Sequence, residues 1–499
     1  MLVEANRFSP NHIAERCFIE ALANGKPIKV YAYDISERGS FRDTNTLAYY
    51  KATGIEVLKP KLTAEQDARC HDIVKRFSSL ISNQEIFDIT IDGVWVGDLI
   101  TDTELLKERI PTVDPQSPSL KNRIRLAVKQ IIYWNDFFST QSVAAVCSSH
   151  ACYLGALPLR VAIAQGVPAV QVNAHTCYRL TSTRKWAYSS FHDYRDQFRQ
   201  LTMDARRHGR REARSRLNER FAGVVGVDMP YSSKTAFGRI TEEQVLSTTP
   251  KFKILIALHC FFDSPNGMGI NLFVDFYQWL LFLGEISNQT DYEWYLKTHP
   301  DSLPGNNQVI QGLLEKFPKF KLIPRDTSHH QLIQEGIGCV LTMHGTVGVE
   351  YAALGRLVVH ASLVNPHIAY NFNLHPKSIA EYRKILMNLS EVKLKISQDE
   401  VEEFYFMHYL VGRKQLYDGT GYGGNKSWIY NDLDEFIESI GPPGFGPDSG
   451  YQKSLTSTAY QKFIEEWSPR QQARRVQLLR DFVGSKSYQM RWNSDFQLL

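Results

Sequence analysis

The sequence predicts an α/β protein made of two Rossmann-like units in series, closed by C-terminal helices. Three observations point there. First, β-branched and aromatic runs of strand length alternate with runs of helical spacing, the pattern of a largely parallel sheet. Second, the alternation pauses over a Gly-, Pro-, Ser- and Thr-bearing stretch near 222–250 and then resumes. Third, after about residue 376 only helical patterns remain.

Taken in order, residues 11–24 have helical spacing, and 26–35 (KPIKVYAYDI) form a strand that runs into the polar Ser-Glu-Arg-Gly. Residues 121–138 space their apolar positions as a helix does. Residues 142–150 (SVAAVCSSH) read as a short buried strand, 156–166 as a helix closed by Gly166, and 167–173 as the next strand, together one β-α-β unit. Residues 186–220 are polar and arginine-rich, as expected of one or two surface helices. The second series opens with a strand at 251–260 and a long amphipathic helix at 271–287. Strands at 291–300, 319–324, 338–345 and 356–361 then alternate with helices at 308–317, 328–335 and 347–355. Helices are expected at 377–397, 398–412 and 458–482. The last two are separated by turn-forming segments, DGTGYGGN (418–425) and GPPGFGPDSG (441–450). The resulting division is 1–235, 236–376 and 377–499. The last part is expected to brace the first domain, bind a partner or rest on a membrane surface.

Composition sets the outer limits. The chain has 499 residues, 43% hydrophobic and 22% charged, enough to bury a core without disulfides. A net charge of +4 permits phosphate or anionic-surface contacts and does not suggest nucleic-acid binding. Its seven cysteines are scattered, with no CxxC pair, which reads as reduced thiols rather than a zinc site or a disulfide framework. The first residues lack a signal-peptide pattern. The most apolar window, 270–286, carries Asp275, Gln278 and Glu285, so it reads as a buried helix and not a membrane span. A cytoplasmic protein, if membrane-associated then peripherally on the inner membrane, is the expectation.

Two Rossmann-like units followed by helices describe the GT-B architecture, whose ligands sit beyond the carboxyl ends of the strands. Candidate residues cluster at such ends. In LTMHGTVGVEYAALGRLVV (341–359) a strand turns at His344-Gly345-Thr346 into a helix. The helix start favours a phosphate, Thr346 can cap the helix or donate to that phosphate, and His344 can donate as well. Glu350, one turn in, can accept from ribose hydroxyls. An ordinary capped strand-turn-helix would read the same way. In WYLKTHPDS (294–302) Lys297 and His299 share one face of a strand ended by Pro300, a cation and an imidazole suited to a leaving phosphate. A surface lysine with a strand-capping His-Pro is the plain alternative. Asp263 lies in the loop after the first strand of the second series. In the first half, His150 follows Ser148 and Ser149 at a strand end and can act as a general base. Asp92, Asp98 and Asp102 offer carboxylates for a base, an acceptor-orienting group or a nucleophile, or simply form turns. The arginines at 206, 207, 210, 211, 214 and 216 read as a solvated helix face, or else as a site for an anionic acceptor or a membrane.

Five segments, DGVWVGDLITDTELL (92–106), 148–172, FFDSPNGMGINLFVDFYQWL (261–280), YLKTHP (295–300) and MHGTVGVEYAALGRLVV (343–359), together resemble GT-B glycosyltransferases of bacterial capsule and surface-polysaccharide synthesis. That group includes the Kdo transferases and sialyltransferase-like enzymes with a His-Pro motif. The resemblance spans about 90–360. It implies that His299, Gly345 and Thr346 bind the nucleotide phosphate and that Glu350 binds ribose or sugar. His344 stands where other members carry a small polar residue or glutamine, a departure that bears on the choice of donor nucleotide. The implied activity is metal-independent, cofactor-free transfer of a sugar, a CMP-activated ulosonic acid first and UDP- or GDP-sugars next, to a hydroxyl of a surface glycan. Asp98, Asp102 and His150 are the catalytic candidates. Glycan-assembly proteins or the inner membrane surface are possible partners. The alternatives are a 2-epimerase, a polyol-phosphate transferase or a non-catalytic assembly subunit.

Overall fold

The computed structural model describes residues 1–5, 15, 19, 27, 29–34, 55–172, 177–186, 189–228, 234–299 and 303–411. The expected helix at 458–482, both glycine-rich turn segments, Pro300 and most of the helix at 11–24 lie outside these residues.

The first sheet is built from β1 (Leu2–Ala5), β2 (Tyr31–Asp34), β3 (Glu56–Leu58), β6 (Val146–Ser148), β7 (Ala169–Val172) and β8 (Cys177–Leu180), after a small hairpin of β4 (Thr90–Ile91) and β5 (Val94–Trp95). Its strand order is β3-β2-β1-β6-β7-β8, parallel throughout except for β8. The second sheet contains β9 (Lys253–Ala257), β10 (Glu293–Lys297), β11 (Phe320–Leu322), β12 (Ile337–Thr342) and β13 (Leu357–His360), in the all-parallel order β11-β10-β9-β12-β13. Counted within each sheet, they read 3-2-1-4-5-6, with the last strand antiparallel, and 3-2-1-4-5, the doubly wound Rossmann order. The predicted fold class is therefore the observed one. β1, β3, β4, β5 and β8 were not foreseen.

The continuous apolar runs of the second sheet follow from burial on both faces. Ile254 and Ile256 of β9, with Trp294 and Leu296 of β10, pack into one core, whereas Leu255 and Tyr295 pack into the other. The helix expected at 271–287 begins at Phe276 and runs to Gln289, because Asp275 accepts from the Gln278 backbone N–H at 2.7 Å and caps it. The helix expected at 156–166 is Leu157–Ala164, and Gly166 follows it at φ 74°. That left-handed conformation suits glycine. The expected helix at 377–397 is shorter, Ile379–Met387, followed by a single 3₁₀ turn at Leu389–Glu391.

Helices α1 (Ala64–Arg76) and α2 (Asn83–Phe87) precede the hairpin, and α3 (Gly97–Glu108) follows it. Asp92 and Gly93 form the hairpin turn, both with positive φ, so Asp92 is a turn residue. α3 is buried from Gly97 to Leu105. A Cβ on Gly97 would stand 1.9 Å from the Phe87 carbonyl oxygen. Gly97→Ala is expected to destabilise the protein by about 1–3 kcal/mol or more through overpacking. A wild-type urea midpoint for that variant would show that the Phe87 backbone yields freely.

Further on come α4 (Pro118–Thr140), α5 (Leu157–Ala164), α6 (Tyr194–Gln200) and α7 (Met203–Phe221). Residues 222–228 and 234–252 form neither helix nor strand. The second half adds α8 (Phe276–Gln289), α9 (Asn306–Lys316), α10 (His329–Gln334), α11 (Val347–Ala353), α12 (Ile379–Met387) and α13 (Gln398–Tyr405). α13 lies on α7, where Arg210 meets Asp399 and Glu403 and Arg214 meets Glu402. These two arginines are thus engaged with a neighbouring helix rather than only solvated. Arg207 pairs with Asp204 and Arg216 with Glu212 and Glu219 of their own helix. No described helix is long and apolar enough to cross a membrane. Cys70, Cys147, Cys152, Cys260 and Cys339 are free thiols.

Candidate functional site

A cavity of about 460 Å³ opens at the carboxyl ends of β9 and β10, beside the turn that follows β12. β9 and β12 are the neighbours at which the strand order reverses, so the cavity lies at the topological switch point of the second sheet. Lys297, His299, Thr346 and Glu350, all singled out from sequence, line it together. Arg220, Lys234, Arg325, Asp326 and His329 line it as well. The lining carries more cationic and imidazole groups than carboxylates, a field suited to an anion.

The partners of these side chains refine their roles. Lys297 is the last residue of β10 and is 8% exposed. Its Nζ donates to the carbonyls of Arg325 (2.8 Å) and Thr327 (2.7 Å). Burial pushes its pKa down to about 8. Most of its donor capacity therefore holds the 325–327 loop, and it reaches a ligand chiefly through that loop. Thr346 occupies the cap position of α11 but makes no side-chain cap bond. The Gly345 amide donates to Thr342 Oγ1 at 3.1 Å, and the Gly348 amide donates to the Gly345 carbonyl at 3.0 Å. Those two amides are already engaged within the turn, contrary to a helix start left open for phosphate.

Glu350 is 2% exposed. Its Oε1 accepts from both Nε and Nη2 of Arg220, the former at 2.7 Å. Neither bond uses Oε2. The pair ties α7 of the first half to α11 of the second. His329 places Nδ1 2.7 Å from the Tyr351 hydroxyl, and burial holds it well below the usual histidine range, hence neutral.

Other candidates lie elsewhere. His344 does not line the cavity. It packs against His259 (4.7 Å between ring centres) and Phe276 (5.8 Å), and burial pushes it down to about 4. Asp263 is exposed and accepts from the Tyr153 hydroxyl at 2.7 Å, a bond between the two halves. Asp102 makes another such bond, accepting from Asn266 Nδ2 at 2.9 Å and from its backbone N–H at 3.2 Å. Burial, and next the nearby Asp98 charge, hold the Asp102 carboxyl well above the ordinary aspartate range. Asp98 is buried in a 2.5 Å ion pair with Arg160. That pairing makes Asp98 a structural carboxylate rather than one presented to a ligand. Thr112 donates to Asp275 at 2.7 Å across the same junction. The loop after β9 thus serves mainly to join the halves, although Leu258 at its start reaches the cavity.

His150 is exposed at the carboxyl end of β6. Its Nδ1 lies 2.7 Å from Ser149 Oγ. Among the described residues no group of three His, Cys, Asp or Glu is placed to hold a metal ion.

Sequence reasoning missed Arg220, Lys234, Arg325, His329 and Glu4. Arg325 had a legible signal: it follows the third strand of a Rossmann series, whose loop faces the same edge. Arg220 had none, because its distance from Glu350 along the chain is bridged only by tertiary packing.

No family model matches the sequence, and no curated protein does. Among solved structures, the chain is similar to Thermosulfurimonas dismutans KpsC, a beta Kdo 2,4 transferase, at 12% identity and TM-score 0.32, covering 52% of this chain and 79% of that one. It is similar to the UDP-GlcNAc 2-epimerase of Neisseria meningitidis at 10% identity and TM-score 0.24, covering 82% and 98%. Acinetobacter baumannii MurG overlaps it at 8% identity and TM-score 0.24, covering 82% and 94%. These overlaps are loose, and the fold rests on the strand orders above.

Proposed function

We propose that this chain is a GT-B glycosyltransferase that moves a sugar from a nucleotide-sugar to a hydroxyl of a bacterial surface glycan. The observation that supports this reading best is the convergence of His299, Thr346 and the Arg220–Glu350 pair in one cavity at a switch point. In this reading His299 and Arg325 meet the phosphate, and Lys297 holds the loop that carries Arg325. Charge-assisted donors of this kind stabilise the phosphate oxygens as the sugar–phosphate bond breaks. Glu350 Oε2 accepts from a ribose or sugar hydroxyl while Arg220 occupies Oε1. Asp263 and Asp102 act by joining the halves around the cleft, and His150 removes the acceptor proton. The capsule-enzyme resemblance favours a CMP-activated ulosonic acid as donor, then a UDP- or GDP-sugar.

A thermal-shift series with CMP, CDP, UDP, GDP and their sugar conjugates tests the site, since binding to the folded state raises its stability. One base is expected to shift the melting point. His299→Ala should weaken that ligand about tenfold to a hundredfold, the effect of losing one charged hydrogen bond. No shift with any nucleotide, or an unchanged affinity in the variant, would overturn the assignment. Dependence of turnover on an added glycan acceptor separates transfer from 2-epimerisation.

A further inference from the structure

The first sheet also carries a polar cluster at its own switch point. β1 lies between β2 and β6, and the register places Glu4 beside the end of β6. Glu4 is 3% exposed. Its Oε2 accepts from Ser148 Oγ at 2.6 Å, from the Ser149 backbone N–H at 2.8 Å and from Ser149 Oγ at 2.9 Å. Ser149 Oγ is in turn 2.7 Å from His150 Nδ1.

With the Ser149 hydroxyl donating to Glu4, one direction follows for this chain. A carboxylate only accepts, so the single Ser149 hydroxyl proton points to Glu4. Ser149 Oγ then accepts from His150, which requires the proton to be on Nδ1. Nε2 is left with its lone pair. Burial first, and the Glu4 charge second, hold buried Glu15 well above the ordinary glutamate range.

We propose that Glu4 and Ser149 are positioning residues that fix the tautomer of His150 and present its Nε2 as a proton acceptor at the carboxyl edge of the first sheet. This deepens the transferase reading, which supplies the hydroxyl to be deprotonated. As the acceptor oxygen bonds to the anomeric carbon, its proton passes to Nε2. The bond from that carbon to the phosphate oxygen breaks, and its electron pair leaves with the phosphate. The imidazolium keeps its Nδ1 proton on Ser149, whose own proton stays directed at Glu4. No proton reaches the carboxylate.

The test reads the tautomer directly and needs no substrate. Two-bond ¹H–¹⁵N spectra of ¹⁵N-histidine protein, recorded at alkaline pH, distinguish Nδ1–H from Nε2–H imidazole. His150 is assigned by the signal lost in His150→Gln. Nδ1–H is expected as the majority form in the wild type and in Ser149→Thr. Ser149→Ala and Glu4→Gln should move the majority toward Nε2–H. Ser148→Ala, which removes a bond to Glu4 and those to the His150 backbone but none to the ring, should leave it on Nδ1. An Nε2–H wild type, or a Ser149→Ala spectrum identical to wild type, would overturn the proposal. If Ser148→Ala moved the tautomer as far as Ser149→Ala, the effect would be a general loosening of the loop, and the proposal would fall as well. Failure of the cleft to bind any nucleotide would overturn the transferase reading and leave the tautomer result standing.

Discussion

Arg220→Ala is expected to cost about 3–5 kcal/mol of folding stability, the usual penalty for stranding one partner of a buried ion pair. Glu350 is 2% exposed and takes two guanidinium hydrogen bonds on one oxygen. Without Arg220 its charge loses that guanidinium partner while staying largely removed from water. Arg220 also donates to the Val227 carbonyl at 3.5 Å, so α7, the following loop and α11 all meet at this side chain. Glu350→Gln should cost less, because it removes the charge while keeping an acceptor for the guanidinium. The double variant Arg220→Met/Glu350→Leu should recover most of the stability of the single alanine variant, since apolar replacement of both partners is often neutral. It should still lose nucleotide binding. Urea unfolding of the three variants decides the point. A loss below about 1 kcal/mol for Arg220→Ala would place the pair among weak, solvent-screened contacts.

Acid should unfold this protein early. Six histidines of the second half, His259, His329, His344, His360, His367 and His375, all titrate below the ordinary range, mainly through burial, with His344 and His375 at about 4. A group with a depressed folded pKa takes up its proton on unfolding. Its contribution is therefore intact above the unfolded value near 6.5 and falls away as pH drops toward the folded value. Each such histidine adds a slope of up to about 1.4 kcal/mol per pH unit. Four carboxyls oppose this. Asp275 is raised to about 6 by burial, and Asp102, Glu15 and Glu403 are also raised, so they gain stability as pH falls through their folded values. With six histidines on one side and four carboxyls on the other, the net effect is proton uptake on unfolding, so stability is lost as pH falls below the unfolded histidine value. Urea midpoints should fall steadily as pH drops from about 6.5 toward 4.5. Stability that held or rose toward pH 5 would refute the neutral-histidine picture. His367 is the sharpest single probe, because among the described residues neither ring nitrogen has a hydrogen-bond partner. His367→Leu should flatten the acid slope while changing stability little at pH 8.

How far the site could be read from sequence depended on the range of the interactions involved. The second βα series was legible almost strand for strand, because its strands are buried on both faces and show as apolar runs such as 254–257 and 339–341. The positions that end those strands were legible too, and Lys297, His299, Thr346 and Glu350 do share a cavity. The hydrogen-bond state of each was not. Lys297 looked like an open cation, yet two carbonyls from a loop 28 and 30 residues away occupy it. Asp98 and Asp102 looked alike as carboxylates near a glycine turn. One became half of an ion pair with Arg160 and the other a junction to Asn266.

By itself, then, the sequence determined the strand and helix alternation, the repeat of that alternation, and which residues stand at strand ends, since these follow from local periodicity and turn chemistry. Tertiary structure alone decided the rest: that Arg220 neutralises Glu350 across 130 residues, that Glu4 on a four-residue strand anchors Ser149 and His150, and that His344 packs against His259 instead of lining the cavity. The reason is desolvation. A polar side chain removed from water must find its partner inside the fold, and which partner it meets depends on packing between segments that local spacing does not encode.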